Sequence, residues 1–284
     1  MTDTKPFNSA AAILPDKIKA RLQKADEKIK ANATEIFISS SLVVFASDKH
    51  VTLTRLSSAD IAECFRAICG YSVHSHADDI KEGFITLPGG HRAGIYGTAV
   101  LDDGKSIKSV RDIAGISIRI ARELIGCSDG ISFNPSRNLL VCGAPSCGKT
   151  TIIRDIARKL TSSGCKVAII DSRGEIGAAA GGAAQNTFGA TVCVLTGYPK
   201  VLGINIALRT LSPDVIVCDE IGSTEDMAAI QGCGRCGVSV IATAHCGGFD
   251  DLKERENIAP LAGGVFKDIV VIEKYGRIKE RRCL

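Results

Sequence analysis

No stretch of this 284-residue chain is apolar for long enough to cross a bilayer. Runs such as Leu42–Ala46 and Val215–Cys218 fall far short of the roughly 18–20 residues that a span needs. Between Met1 and Pro15 there is Lys5 but no apolar core of signal-peptide length, so a cytoplasmic protein without an integral membrane segment is expected. Charge of one sign is lacking too: the net charge is +4, with 18 basic and 16 acidic side chains in residues 1–137 and 17 and 15 in residues 138–284. Proteins that track nucleic-acid phosphates usually carry a basic cluster or arm, so no nucleic-acid partner is expected. No internal repeat is visible. The 12 cysteines are scattered through apolar contexts, Cys142 and Cys218 among them, as reduced buried thiols are. Cys233 and Cys236 form a C-x-x-C pair near His245 and Cys246, but no second ligand pair stands at metal-site spacing. Packing and sensitivity to oxidation are the expected roles.

What is present is ample core material: 45% hydrophobic residues and a mean hydropathy of +0.16, enough for one large domain or two modest ones. Lys-rich Pro15–Asn32, with Ile18, Leu22 and Ile29 near helical spacing, predicts a single amphipathic helix. The β-branched run from Glu35 to Phe45 predicts one or two strands, and Ser57-Ser58-Ala-Asp an N-cap for a helix over Ala59–Ile68. Pro88-Gly89-Gly90 and Asp103-Gly104 break the next apolar segments into a hairpin or meander. Lys105–Val110 follows, and Ile116–Ala121 alternates like a final strand. Turn-rich Gly126–Ser136 marks the expected boundary between a small α+β domain, 1–134, and a second domain, 135–284. There the style changes to apolar strands alternating with helices: Asn138–Cys142, Lys166–Asp171, Val192–Leu195, Val215–Cys218 and Ser239–Thr243. Such strands predict a mainly parallel sheet covered on both faces. Phe266–Glu273 and Arg277–Cys283 read as a closing hairpin, and Ala- and Gly-rich 177–186 as a mobile loop or loosely held helix.

Residues 143–150, Gly-Ala-Pro-Ser-Cys-Gly-Lys-Thr, form a P-loop (Walker A) between a strand and a helix. Glycines let backbone N–H groups close around phosphates where a helix N-terminus favours negative charge. The cofactor-binding set is therefore Gly143, Ala144, Pro145, Ser146, Cys147, Gly148, Lys149, Thr150 and Thr151, with ATP as ligand. Lys149 is expected on the β- and γ-phosphates and the Thr150 hydroxyl on Mg²⁺. A Walker B element follows at Val215–Glu220, where Asp219 would orient the metal and Glu220 polarise the attacking water. Two further strands end in polar residues, Asp171 and Glu175 beyond one and Thr243 and His245 beyond another. All four are expected at the crevice formed by the carboxyl ends of the strands.

The P-loop, Asp171-Ser-Arg-Gly-Glu175, Leu208–Gly222 and Ile241–His245 together resemble the ATPases of type II and type IV secretion systems. Within that superfamily, Glu82–Arg92 and Ile118–Cys127 resemble the stage III sporulation AA family, over roughly residues 35–275. The resemblance implies a RecA-like P-loop NTPase domain after a smaller α+β domain, and a subunit of a homo-oligomeric, hexameric ring. It also implies a cytoplasmic, Mg²⁺-dependent ATPase motor working on the membrane components of a channel between mother cell and forespore. By family analogy Glu175, Glu220 and His245 fall in the Asp, Walker B and His boxes and join Lys149 as catalytic residues. Arg119 and Arg122 are expected to reach the phosphates, with Arg92 and Arg209 behind them. Asp219 departs from the glycine usual there in secretion ATPases. Two other readings remain open on the residues: a nucleic-acid-dependent P-loop ATPase, and a scaffold that binds ATP but barely turns over.

Overall fold

The computed structural model describes residues 3–47, 49–102, 106–180, 182–254 and 264–283. The chain divides into two compact units, Met1–Arg122 and Glu123–Leu284.

The first unit begins with three helices, α1 (Lys5–Ala12), α2 (Asp16–Leu22) and α3 (Glu27–Asn32). The single helix predicted over 15–32 is thus two. Asp26 caps α3 by accepting from the Lys28 N–H at 2.8 Å. Buried Lys30 reaches back to the Gln23 carbonyl, also at 2.8 Å, so both new helix ends find partners. The strands are β1 (Ala33–Ile38), β2 (Ser41–Ala46) and β3 (His50–Arg55), followed by α4 (Ser58–Ile68) and α5 (Ala77–Glu82). Then come β4 (Phe84–Thr86), β5 (Arg92–Asp102) and β6 (Ser106–Arg119). Ser57 and Asp60 form the capping box of α4. The Asp103-Gly104 turn lies outside the described residues, and Lys105 with it. The final strand expected over Ile116–Ala121 is the end of a longer one, β6, which begins at Ser106. The sheet order is β3-β2-β1-β6-β5-β4 with every neighbour antiparallel. Alternation does the sorting: Ile36, Ile38, Leu42, Val44, Ile116 and Ile118 join Phe7, Leu14, Ile18 and Leu22 of the helices in one core, while Phe37 stacks on Tyr96 across the other face.

The second unit contains β7 (Leu139–Gly143), α6 (Lys149–Ser162), β8 (Val167–Asp171), β9 (Val192–Thr196), α7 (Lys200–Thr210) and β10 (Val215–Cys218). It ends with α8 (Thr224–Arg235), β11 (Ser239–His245), α9 (Phe249–Glu254), β12 (Asp268–Ile272) and β13 (Ile278–Cys283). The order is β13-β12-β7-β11-β10-β8-β9, parallel from β12 to β9 with β13 antiparallel at the edge. This is a RecA-like sheet. Separate cores lie on its two faces. One holds Ile152, Ile153 and Ile156 of α6; the other holds Ile204 of α7 and Met227 and Ile230 of α8. Burial on both faces explains why these strands are continuously apolar instead of alternating.

Turn-rich 126–136 lies within the second unit. The buried Asp155 carboxylate of α6 accepts from the Gly126 N–H (3.1 Å), the Ser128 N–H (3.0 Å) and the Ser128 hydroxyl (2.6 Å), and Ile131 enters the core. The described part of 177–186 is not helical. The Gln185 N–H donates to the Gly177 carbonyl at 3.0 Å, and the Asn186 side-chain amide to the Ile176 carbonyl at 2.7 Å. Among the described residues no helix is long and apolar enough to cross a membrane.

Candidate nucleotide site

Insertion of β11 between β7 and β10 decides which side chains meet. His245 stands beside Gly143 and Ala242 beside Cys218 in the strand register, so three strands deliver their polar ends to one cleft.

The P-loop leaves β7 through Gly143, where a Cβ would sit 2.5 Å from the Cys147 sulfur and 2.6 Å from the Ile272 carbonyl. Ser146 (φ +59°) and Gly148 (φ +105°) both take left-handed conformations, which turn successive N–H groups inward ahead of α6. Lys149 is buried, and its ammonium donates to the carbonyls of Gly143 (3.0 Å) and Ala144 (2.8 Å) while lying 3.1 Å from His245 Nδ1. The loop thus holds its own cation at the mouth of the anion nest.

Thr150 Oγ1 donates to Asp219 Oδ2 at 2.8 Å. A hydroxyl beside a carboxylate is an all-oxygen donor set, the chemistry that Mg²⁺ takes, completed by substrate phosphates and water. Asp219 Oδ1 accepts from the Thr243 hydroxyl, which in turn accepts from the Glu220 N–H at 2.8 Å. Thr243 is therefore fully buried between two carboxylate-bearing residues and does not face the crevice. Glu220 has φ +48°. Its carboxylate meets His245 Nε2 at 3.0 Å and the Arg173 guanidinium on its other oxygen. His245 thereby bridges Lys149 and Glu220.

A cleft of about 400 Å³ is lined by Ser146, Lys149, Thr150, Arg173, Glu175, Glu220 and His245, with Pro145, Gly148 and Thr151. Its size suits a small ligand. Asp171 does not face it. That carboxylate is buried and accepts from the N–H groups of Glu175 (2.8 Å), Ile176 (3.2 Å) and Gly177 (2.7 Å), so it shapes the loop that carries Glu175. The Arg154 guanidinium ties the same loop to α6 through the Glu175 and Ile176 carbonyls.

Of the expected arginines, Arg92, Arg119 and Arg122 belong to the first unit and Arg209 to the second. Arg119 is exposed at the end of β6 and lines a cleft of the first unit with Arg92, Phe84 and Tyr96. Arg122 donates to the carbonyls of Ala31 (2.6 Å) and Ala33 (3.1 Å), closing the end of α3. Arg209 is exposed on α7. The sequence reading passed over Arg173, although it stands inside the quoted Asp-Ser-Arg-Gly-Glu motif, and Lys200, for which no local signal exists. The C-x-x-C pair divides: Cys236 is exposed beyond α8, whereas Cys233 is buried and its thiol is pushed up to about 12, chiefly by that burial. Cys233 is thus an inert packing residue and not an oxidation-prone one.

With this geometry in hand, the likenesses to known proteins fall into place. The chain is 33% identical over 268 residues to stage III sporulation protein AA of Bacillus subtilis (strain 168), an alignment covering 90% of this chain and 87% of the relative. Among solved structures it resembles the ATPase DotB of Legionella pneumophila, with a TM-score of 0.56, 19% identity and coverage of 91% of this chain and 76% of that one. It also resembles the pilus retraction motor PilT with bound ADP, with a TM-score of 0.59, 15% identity and coverage of 90% and 76%. At such identities these two show the fold. The family profile described as "Sporulation stage III, protein AA" matches residues 16–282, and the chain belongs to that family.

Proposed function

We propose that this chain is a Mg²⁺-dependent ATPase, the ring-forming motor of a sporulation channel. The observation that carries the reading is the convergence of Lys149, Thr150, Glu220 and His245 on one cleft at the head of α6, with Asp219 accepting from the Thr150 hydroxyl.

The P-loop N–H groups and the N-terminus of α6 bind the phosphates. Lys149 exchanges the Gly143 and Ala144 carbonyls for β- and γ-phosphate oxygens. Thr150 and Asp219 hold Mg²⁺, which when bound neutralises charge on those oxygens. Glu220 orients the attacking water and accepts its proton as the water oxygen bonds to the γ-phosphorus and the bond to the β–γ bridging oxygen breaks. His245, placed between Lys149 and Glu220, couples phosphate binding to the base, and Glu175 orders solvent on the opposite wall. Arg119, with Arg92 beside it, is the better candidate for a phosphate contact delivered by a neighbouring subunit, because Arg122 is engaged at the end of α3. Such an arginine stabilises transition-state charge only when the ring closes.

The motor role, the cytoplasmic location against a membrane complex and the mother cell to forespore channel rest on the family. The test of the chemistry is Glu220→Gln. Phosphate release is expected to fall by about 100-fold or more while ATP binding persists; unchanged release removes Glu220 from the mechanism. Strong stimulation of the unmodified protein by single-stranded DNA or RNA, with none from channel membrane components, would overturn the motor reading.

A further inference from the structure

We infer that Lys200 is a positioning residue that fixes the backbone of Glu220 and thereby aims its carboxylate; this rests on the reading of Glu220 as the base. Glu220 is a non-glycine residue in the left-handed region, at φ +48°, a conformation that persists only where its surroundings hold it. Both of its peptide groups are held. The N–H donates to Thr243 Oγ1 at 2.8 Å, and the carbonyl accepts from Lys200 Nζ at 2.5 Å. The neighbouring Ile221 N–H donates to the Thr243 carbonyl at 2.8 Å.

Lys200 is an expensive way to make that contact. It sits in the first turn of α7, where the helix dipole disfavours a cation, and its side chain is only 15% exposed. Its charge is matched by Asp226 at 3.1 Å, itself 12% exposed. Asp226 Oδ2 also accepts from the Gly222 N–H at 3.1 Å while serving the capping box of α8. The Lys200–Asp226 pair therefore braces the chain on the C-terminal side of Glu220, at the carbonyl of residue 220 and the amide of residue 222. Lys200 does not line the cleft. Its route to the chemistry is through Glu220, where a misplacement of about 1 Å is enough to slow a reaction roughly 100-fold.

The test is steady-state ATP turnover of the full chain carrying Lys200→Met, alongside Lys200→Met/Asp226→Asn, which leaves no buried carboxylate without its cation. The expected result is a kcat lowered by about 10-fold or more, with the KM for ATP and the affinity for a fluorescent ATP analogue within about twofold of the parent. Where the single variant melts early, the double variant decides. Lys200→Arg, which keeps a donor and a charge, is expected to recover part of the loss. In a Glu220→Gln background, Lys200→Met is expected to cost almost nothing further, because two residues acting through one carboxylate are not additive. A kcat within about twofold of the parent in both Lys200 variants overturns the inference, as does a full additional loss in the Glu220→Gln background. If Glu220→Gln itself turns over normally, the reading of Glu220 has failed. If it does not, and the Lys200 variants do, only the role of Lys200 has failed.

Discussion

Single residues here carry duties that their neighbours in sequence do not announce. His91, in the Pro-Gly-Gly-His-Arg segment, is buried, accepts from the Ala121 N–H at 3.0 Å through Nδ1, and is pushed from 6.5 down to about 4 by that burial. As pH falls below 6.5 the unfolded chain takes up this proton first, and the folded chain does so only near 4. The stability held by a neutral His91 is therefore complete above pH 6.5 and drains away between 6.5 and 4. Melting temperature measured from pH 7 to 5 is expected to fall more steeply for the parent than for His91→Gln, whose amide can accept the same N–H without titrating. Parallel curves would show that His91 contributes nothing to the acid limb. The residues that form the site were legible unevenly. Lys149, Thr150, Asp219 and Glu220 could be read because P-loop chemistry needs a lysine and a hydroxyl at the start of α6 and carboxylates just beyond a buried strand, here β10. Asp171 misled, because a carboxylate at a strand terminus looks the same whether it faces a ligand or staples three backbone amides. Lys200 and Arg173 meet Glu220 only through tertiary folding, and no sequence spacing encodes that.

At the scale of elements, the strands of the second unit were the most legible, since burial on both faces demands uninterrupted apolar runs. Helix ends were less so. The break between α2 and α3 depends on Asp26 and Lys30 capping in preference to extending one helix, which periodicity alone does not decide. Helix α6 is where the P-loop becomes mechanically connected. Arg154 ties it to the loop of Glu175, and Asp155 ties it to 126–128. Burial alone would raise the Asp155 carboxyl. The bonds from Ser128 and Gly126, with that from Arg158, outweigh burial and hold it well below its usual 3.8. The clamp is thus whole above about pH 4 and lost as acid protonates the folded carboxyl. Asp155→Ala leaves these donors unpaired in a buried site and is expected to cost about 2–4 kcal/mol. Denaturant unfolding measures the cost, and hydrogen exchange at the Gly126 and Ser128 amides should accelerate with it. Exchange at the parental rate would show that the segment is held by something other than α6.

For the molecule as a whole, the RecA-like order of the second sheet explains why a P-loop, a Walker B strand and a histidine-bearing strand serve one cleft: β11 separates β7 from β10 and brings His245 between Lys149 and Glu220. Residues 126–136 pack with the second unit, and Ile131 is part of its core. A cleft completed by an arginine from another subunit requires closed symmetry, because a heterologous contact that does not close grows into a filament. The measurement that bears most directly on an ATP-driven ring is therefore the mass in solution of the Glu220→Gln protein, with and without Mg²⁺ and ATP. The expected species with ATP is about 180 kDa, six copies of the 29.9 kDa chain. A 29.9 kDa monomer at saturating ATP would contradict both the ring and the arginine supplied across it.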